Sequence, residues 1–178
     1  AVTGSLSMNN VLAPHDDIDL LVVTTAGRLW LARALAILVV RAARAFGVEL
    51  CPNYFVSESA LELADPGIFT AHELAQTVPL FGKCYYRRLL SCNAWLADYL
   101  PNAGCPQDAG RDLGALGRAG QRASEGLLAT RLGDALERWE RGRKIERLRR
   151  HSGAHAGETL FSAELCKGHM RAHAAWVN

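Results

Sequence analysis

Apolar positions fall into two regimes along this chain. Between Asp17 and Val56 they form long, nearly continuous runs. From Gln121 to Arg150 they are sparse and recur at helical intervals. The run Asp17–Thr25 (DIDLLVVTT) is short and β-branched, the pattern of a central strand. Leu29–Phe46 is alanine-rich, lacks Gly and Pro, and ends at Gly47, which predicts a long helix with a glycine stop. Val48–Val56 (VELCPNYFV) returns as a strand. Pro52 has no N–H for a ladder, so this strand is bulged there, lies at an edge, or pairs only before it. Strand, helix, strand gives an α/β unit with a right-handed crossover.

Ahead of this unit, Val2-Thr3-Gly4-Ser5 reads as a strand end running into a turn. Beyond it the pattern turns helical. Thr70 is expected to cap a helix through Ala71-His72-Glu73-Leu74, with Glu73 in the capping-box position. Helical stretches are expected around Tyr85–Leu90 and Asn93–Leu100. One long helix is expected from Gln121 to Arg150. A last one is expected from Ser162, with Glu164 in its first turn. Composition shifts near Pro101-Asn102-Ala103-Gly104, where Gly, Asp and Arg become frequent. The organisation read from this is a domain over 1–102, a linker over 103–120 and a helical C-terminal region over 121–178. The fold class is α/β (α+β): a small mixed sheet followed by helices.

Composition narrows the function classes. With 178 residues the chain fits one compact domain, or one with a small helical extension. Hydrophobic residues at 49% and charged residues at 21% are ordinary globular usage, which argues against wholesale disorder. A net charge of +2 creates no global pull toward nucleic acid or membrane. The charge is uneven, however: residues 1–100 carry 7 basic and 9 acidic side chains, and residues 101–178 carry 13 and 9. Five cysteines without a CxxC pair argue against a disulfide scaffold or zinc ribbon, and a reducing, cytoplasmic setting is expected. The most apolar stretch, Leu29–Val40, is interrupted by Arg33. Its longest uncharged run, Ala34–Val40, is far short of the ~20 residues that span a bilayer, so no membrane partner is expected. No leader sequence is read at the start. Ala1-Val2-Thr3-Gly4 reads instead as a strand already under way, as in a fragment or a chain lacking its first element.

Candidate chemistry gathers in the N-terminal third. Gly4-Ser5 ends the first strand, residues 6–16 intervene, Asp17-Ile18-Asp19 opens the second strand, and Val48-Glu49-Leu50 opens the third. Alternate side chains of a strand share a face, so Asp17 and Asp19 point the same way, roughly 6–7 Å apart. Glu49, flanked by apolar residues, can project from the neighbouring strand toward them. Three converging carboxylates repel one another unless a cation sits among them, and hard oxygen donors suit Mg²⁺ or Mn²⁺. Gly4 permits close backbone approach to a phosphate, and Ser5 adds a hydroxyl and an N–H.

In these residues the chain resembles the nucleotidyltransferase superfamily with the DNA-polymerase-β-like fold. That family's pattern is a strand ending in Gly-Ser or Gly-Gly, a gap of about this length, a hydrophobic-flanked Asp-x-Asp and a third acidic residue on a later strand. The stretch from Val48 to Asn102 and the tail FSAELCKGH also look like a bacterial group of nucleotidyltransferase-like proteins. The resemblance implies transfer of a nucleoside monophosphate from an NTP to an acceptor hydroxyl, with release of pyrophosphate. Asp17 and Asp19 would hold the metals, and Glu49 would ligate the catalytic metal near the acceptor. Gly4 and Ser5 would hold the β- and γ-phosphates. Glu49 stands where Asp is commoner in the family.

Other signals are weaker. Arg138–Arg150 carries seven basic and two acidic residues. Read as a patch, it offers a second surface for nucleic acid and the alternative function, a catalytically degenerate nucleotide- or RNA-binding module. Read as a solvated helix, it balances its charge through Glu137/Arg141, Glu140/Lys144 and Glu146/Arg150, and this reading is preferred. Cys166, His169 and His173 share helical spacing but supply only three zinc ligands, so a tight zinc site is not expected. Lys167 is a cation that nothing in the sequence aims. Arg28, Arg33, Arg41 and Arg44 are read as solvated ends of an otherwise buried helix.

Overall fold

The computed structural model describes residues 1–7, 17–63, 66–103, 114–151 and 160–167. His15, His155, His169 and His173 lie outside them. The described elements, in order, are β1 (Val2–Thr3), α1 (Gly4–Ser7), β2 (Ile18–Thr24), α2 (Leu29–Arg44), β3 (Leu50–Ser57), α3 (Ile68–Gln76), α4 (Lys83–Cys92), α5 (Leu96–Tyr99), α6 (Ala115–Leu128), α7 (Arg131–His151), β4 (Leu160–Phe161) and β5 (Leu165–Lys167). The fold is a mixed α+β one, as the sequence predicts. Its sheet runs β1-β2-β3-β5-β4, with β2 and β3 parallel and every other pairing antiparallel.

The β2–α2–β3 unit forms where its hydrophobic runs put it. Gly47, at φ +75°, supplies the left-handed residue that stops α2. The irregularity expected at Pro52 is present: Leu20 pairs with Pro52, Leu21 pairs with Tyr54, and Asn53 is the extra residue of a bulge.

The sheet is covered on both faces. On one side Leu21, Val56, Leu61, Leu63, Leu74 and Leu89 form a core that includes α3 and α4. Asn93 is fully buried there: its amide donates to Leu61 O and Leu89 O and accepts from Leu63 N–H, so the loop after β3 is pinned to the end of α4. On the other side Leu29, Trp30, Phe55 and Cys166 are buried together under α2 and α7.

Four sequence expectations are corrected. Pro66-Gly67 breaks the chain, so α3 starts at Ile68 with Gly67 at its N-cap; Thr70 lies inside the helix, buried, and Glu73 is no capping partner. The single helix from Gln121 to Arg150 is two helices. Thr130 begins the second one, its hydroxyl accepting from Gly133 N–H at 3.3 Å and its carbonyl from Asp134 N–H. A Cβ on Gly133 would collide with the Leu128 carbonyl, so glycine is what lets α6 end this close to α7. The third correction falls on the tail. Ser162–Glu164 is the bend of a β-hairpin rather than a helix start, and Cys166 sits on β5, buried against Phe55. Lastly, α2 is not an otherwise buried helix: of its residues only Leu29 and Trp30 are buried, whereas Leu35, Leu38 and Val39, and Phe46 in the turn that follows, are exposed.

Candidate active site at the start of the parallel strands

The N-terminal end of β2 brings several predicted residues together. Antiparallel pairing sets Thr3 opposite Asp19, which carries Gly4 onto the aspartate. Gly4 has φ +69°, and a Cβ built on it would collide with Asp19 Oδ2. Any side chain at position 4 would therefore be strained by the left-handed backbone and would have to push the Asp19 carboxylate aside. Ser5 follows as the second residue of α1. Asp17 stands exposed one residue before β2.

Asp19 does not rest on Gly4 alone. The side-chain amide of Asn53 donates to Asp19 Oδ1, and Asn53 Oδ1 accepts the Cys51 thiol at 2.9 Å. The bulge makes this possible by placing an extra residue beside the Asp19–Cys51 pair. The Cys51 thiol is pushed up, first by burial, then by the charges of Asp19 and Asp17; the Asn53 hydrogen bond pulls it down, and Glu49 adds a weaker push. All three predicted carboxylates thus act on one thiol.

Glu49 is placed differently from the two aspartates. Its carbonyl accepts Ile18 N–H at 2.9 Å, which levels it with the start of β2. Its carboxylate turns to Arg44 at the end of α2, taking Arg44 Nε at 3.1 and 3.2 Å and Nη2 at 2.9 Å. This pair is exposed and raises the Arg44 guanidinium above its ordinary value.

Residues that the sequence did not assign to the site complete the surroundings. Glu73 of α3 is pushed up by burial, drawn down by Lys167 and pushed up by Asp19. Lys167 of β5 pairs in register with Tyr54, its Nζ 5.8 Å from the ring centroid. Asn53 had one signal in the sequence, the Pro52 break beside it. Lys167 and Glu73 had none, because strand pairing and helix docking bring them here.

Among the described residues no group of three or more His, Cys, Asp and Glu side chains could hold a metal. The oxygen donors that could serve a divalent ion there are Asp19, oriented by the Asn53 amide and packed on Gly4, and the exposed Asp17 just before β2. Cys166 has no part in such a site. Its thiol is raised by burial, with Arg33 pulling the other way. No helix among the described residues is long and apolar enough to cross a membrane. No protein-family model, curated protein or solved structure matches the chain.

Proposed function

We propose that this chain is a metal-dependent nucleotidyltransferase. It would move a nucleoside monophosphate from an NTP to an acceptor hydroxyl and release pyrophosphate. The observation that carries the reading is the packing of Gly4 directly on the Asp19 carboxylate, with Asp17 two residues earlier. This contact sets the Gly4 backbone, the proposed phosphate-facing element, next to the carboxylate that would hold the cation.

In this reading Asp17 and Asp19 hold Mg²⁺ or Mn²⁺, which supplies charge neutralisation for the phosphates when bound. Asn53 fixes one oxygen of Asp19 and leaves the other to face Gly4. Gly4 and Ser5 offer backbone N–H groups to the β- and γ-phosphates. The acceptor oxygen forms a bond to the α-phosphorus as the bond to the β-phosphate oxygen breaks, and the acceptor proton passes to Glu49. Glu49 takes that role by leaving Arg44, and an exposed ion pair holds it only weakly.

The test is pyrophosphate release with each of the four NTPs and Mg²⁺ or Mn²⁺. Asp19→Asn is expected to abolish turnover while thermal unfolding stays at or slightly above wild type, because fewer close carboxylates then repel. Turnover that survives this change overturns the assignment. Gly4→Ala is expected to lose turnover as well and to destabilise by about 1–2 kcal/mol, since alanine pays for left-handed φ as well as the clash.

One observation favours a second reading, a polyanion-binding module on α7. Glu137 and Glu140 are buried, so the outward side of the helix is more basic than its sequence. Trp139 is exposed there with the Arg143 guanidinium 5.0 Å from its ring centroid. Salt-sensitive binding of single-stranded RNA that needs no metal and is weakened by Arg147→Ala, without NTP turnover, would favour this module.

A further inference from the structure

Helix α2 is apolar on two opposite sides. Its inner side carries Leu29 and Trp30, both fully buried. Its outer side carries Leu35, Leu38, Val39 and Ala42, whose spacing of 0, 3, 4 and 7 is a single helical face, and Phe46 follows in the turn after the helix. Four of these are exposed large residues: Leu35 at 54%, Leu38 at 57%, Val39 at 59% and Phe46 at 85%. Val48, at 40%, extends the strip past Gly47. An apolar strip of this length on the outer side of a helix is a surface that a partner can cover.

The size of the strip points to what covers it. Weighted by these exposures, the side chains present roughly 500 Å² of apolar surface, at the upper end of the largest patch on an ordinary monomer. Two such strips face to face bury about 1,000 Å² before any rim is counted, which reaches the lower bound of a specific interface. The pattern is also self-complementary. A two-fold axis between Leu38 and Val39 is equidistant from Leu35 and Ala42, so a bulky residue meets a small one on both sides. No charged residue interrupts the strip. Arg41 borders it, and Arg44, which pairs with Glu49, lies on the opposite side of the helix.

We propose that the outer face of α2 is the seam of a homodimer, in which two α2 helices cross antiparallel with Leu35 of each copy against Ala42 of the partner subunit. This goes beyond the nucleotidyltransferase reading and does not depend on it. Sedimentation equilibrium of the full chain, from low to high micromolar, is expected to give twice the chain mass at the upper end. Leu38→Glu is expected to weaken the dimer by more than about a hundredfold, because it buries an unpaired charge twice at the axis. Leu116→Glu, on the exposed α6, leaves the dimer intact. Should Leu38→Glu fail to fold, Val39→Cys decides: next to the axis, it forms a copy-to-copy disulfide at residue 39 under mild oxidation. A wild type monomeric at the highest concentration overturns the proposal, even if it binds another protein or a lipid vesicle. So does a dimer that survives Leu38→Glu, or a Val39→Cys chain that does not cross-link through residue 39.

Discussion

Helices α2 and α7 lie against each other on the same side of the sheet, yet they contradict their own compositions. α2 is apolar at thirteen of its sixteen positions, yet only Leu29 and Trp30 of it are buried. α7 is among the most charged segments of the chain, and it carries two of the buried carboxylates. Glu137 is the clearest case. Its two oxygens accept Trp30 N–H at 2.9 Å and Leu31 N–H at 2.8 Å, the orphan donors of the first turn of α2. Arg28, just before that turn, reaches back to Asp134 of α7 at 2.6 Å. An apolar helix without a capping residue of its own is capped by the charged helix beside it. Composition records how much polar surface a helix has, and the backbone needs of its neighbour decide where that polarity goes.

The strongest way to break this arrangement is to remove the borrowed cap. Glu137→Ala leaves two donors without an acceptor, in and beside the core that holds Trp30. At about 1–3 kcal/mol for each unsatisfied buried group, a loss of roughly 3 kcal/mol is expected. Glu137→Gln keeps one acceptor and should cost about half as much. Leu132→Ala, on the same helix but 69% exposed, should stay within about 0.5 kcal/mol. Urea unfolding of the three variants checks the order. If the polar Glu137 proves cheaper to lose than the apolar Leu132, the contrast between the helices collapses.

The same contrast shows how far the sequence could be read. The elements β2, α2 and β3 were legible because their signals are local: a β-branched run, a glycine stop, a proline that cannot pair. The hairpin of β4 and β5 was not. Leu165-Cys166-Lys167 is a strand only because β3 lies beside it, and the polar bend at Ser162–Glu164 resembles a helix cap until that partner is known. The break at Thr130 hid inside a continuous helical period. Glu137 was read as a partner for Arg141 four residues on, whereas its actual partners lie 106 and 107 residues away. At the candidate site, Gly4, Asp17 and Asp19 were legible as a spaced pattern. Asn53 was not, because its reach to Asp19 depends on a register shift that only the paired strands define.

A smaller effect tests where Arg141 is used instead. Glu164 sits in the bend of the hairpin, where its carboxylate accepts Ser59 Oγ at 2.6 Å. Hydrogen bonds from Ser57 and Ser59 hold it below the usual carboxylate range, burial opposes them, and Arg141 adds a weaker pull in the same direction as the serines. A carboxylate depressed in the folded state contributes stability above its unfolded pKa of about 4.3 and loses it as pH falls through the folded value. The melting temperature should therefore drop more steeply below about pH 4.5 in wild type than in Glu164→Gln. Arg141→Ala should give a shallower version of the same change. Parallel acid-limb profiles for wild type and Glu164→Gln would show that Glu164 contributes nothing.

The smallest expected effect separates two ion pairs on α7 that look alike in sequence. Glu140 meets Arg143 at 2.6 Å and Glu146 meets Arg150 at 2.8 Å, one pair spaced by three residues and the other by four. The Glu140 side chain is 5% exposed, whereas Arg150 and Glu146 are 74% and 60% exposed. For the outer pair, water screens the attraction and two long side chains lose rotamer freedom, so a double-mutant cycle on Glu146 and Arg150 should return about 0.3–0.5 kcal/mol and shrink in high salt. For the inner pair, removing Arg143 strands a buried carboxylate, so Arg143→Ala alone should cost more than the whole outer pair, and added salt should recover little of it. Equal, equally salt-sensitive couplings would mean that Glu140 is as well solvated as Glu146. Unequal ones would locate the difference in Glu140, which faces inward on a helix whose regularly spaced apolar residues Leu132, Leu136 and Trp139 are exposed.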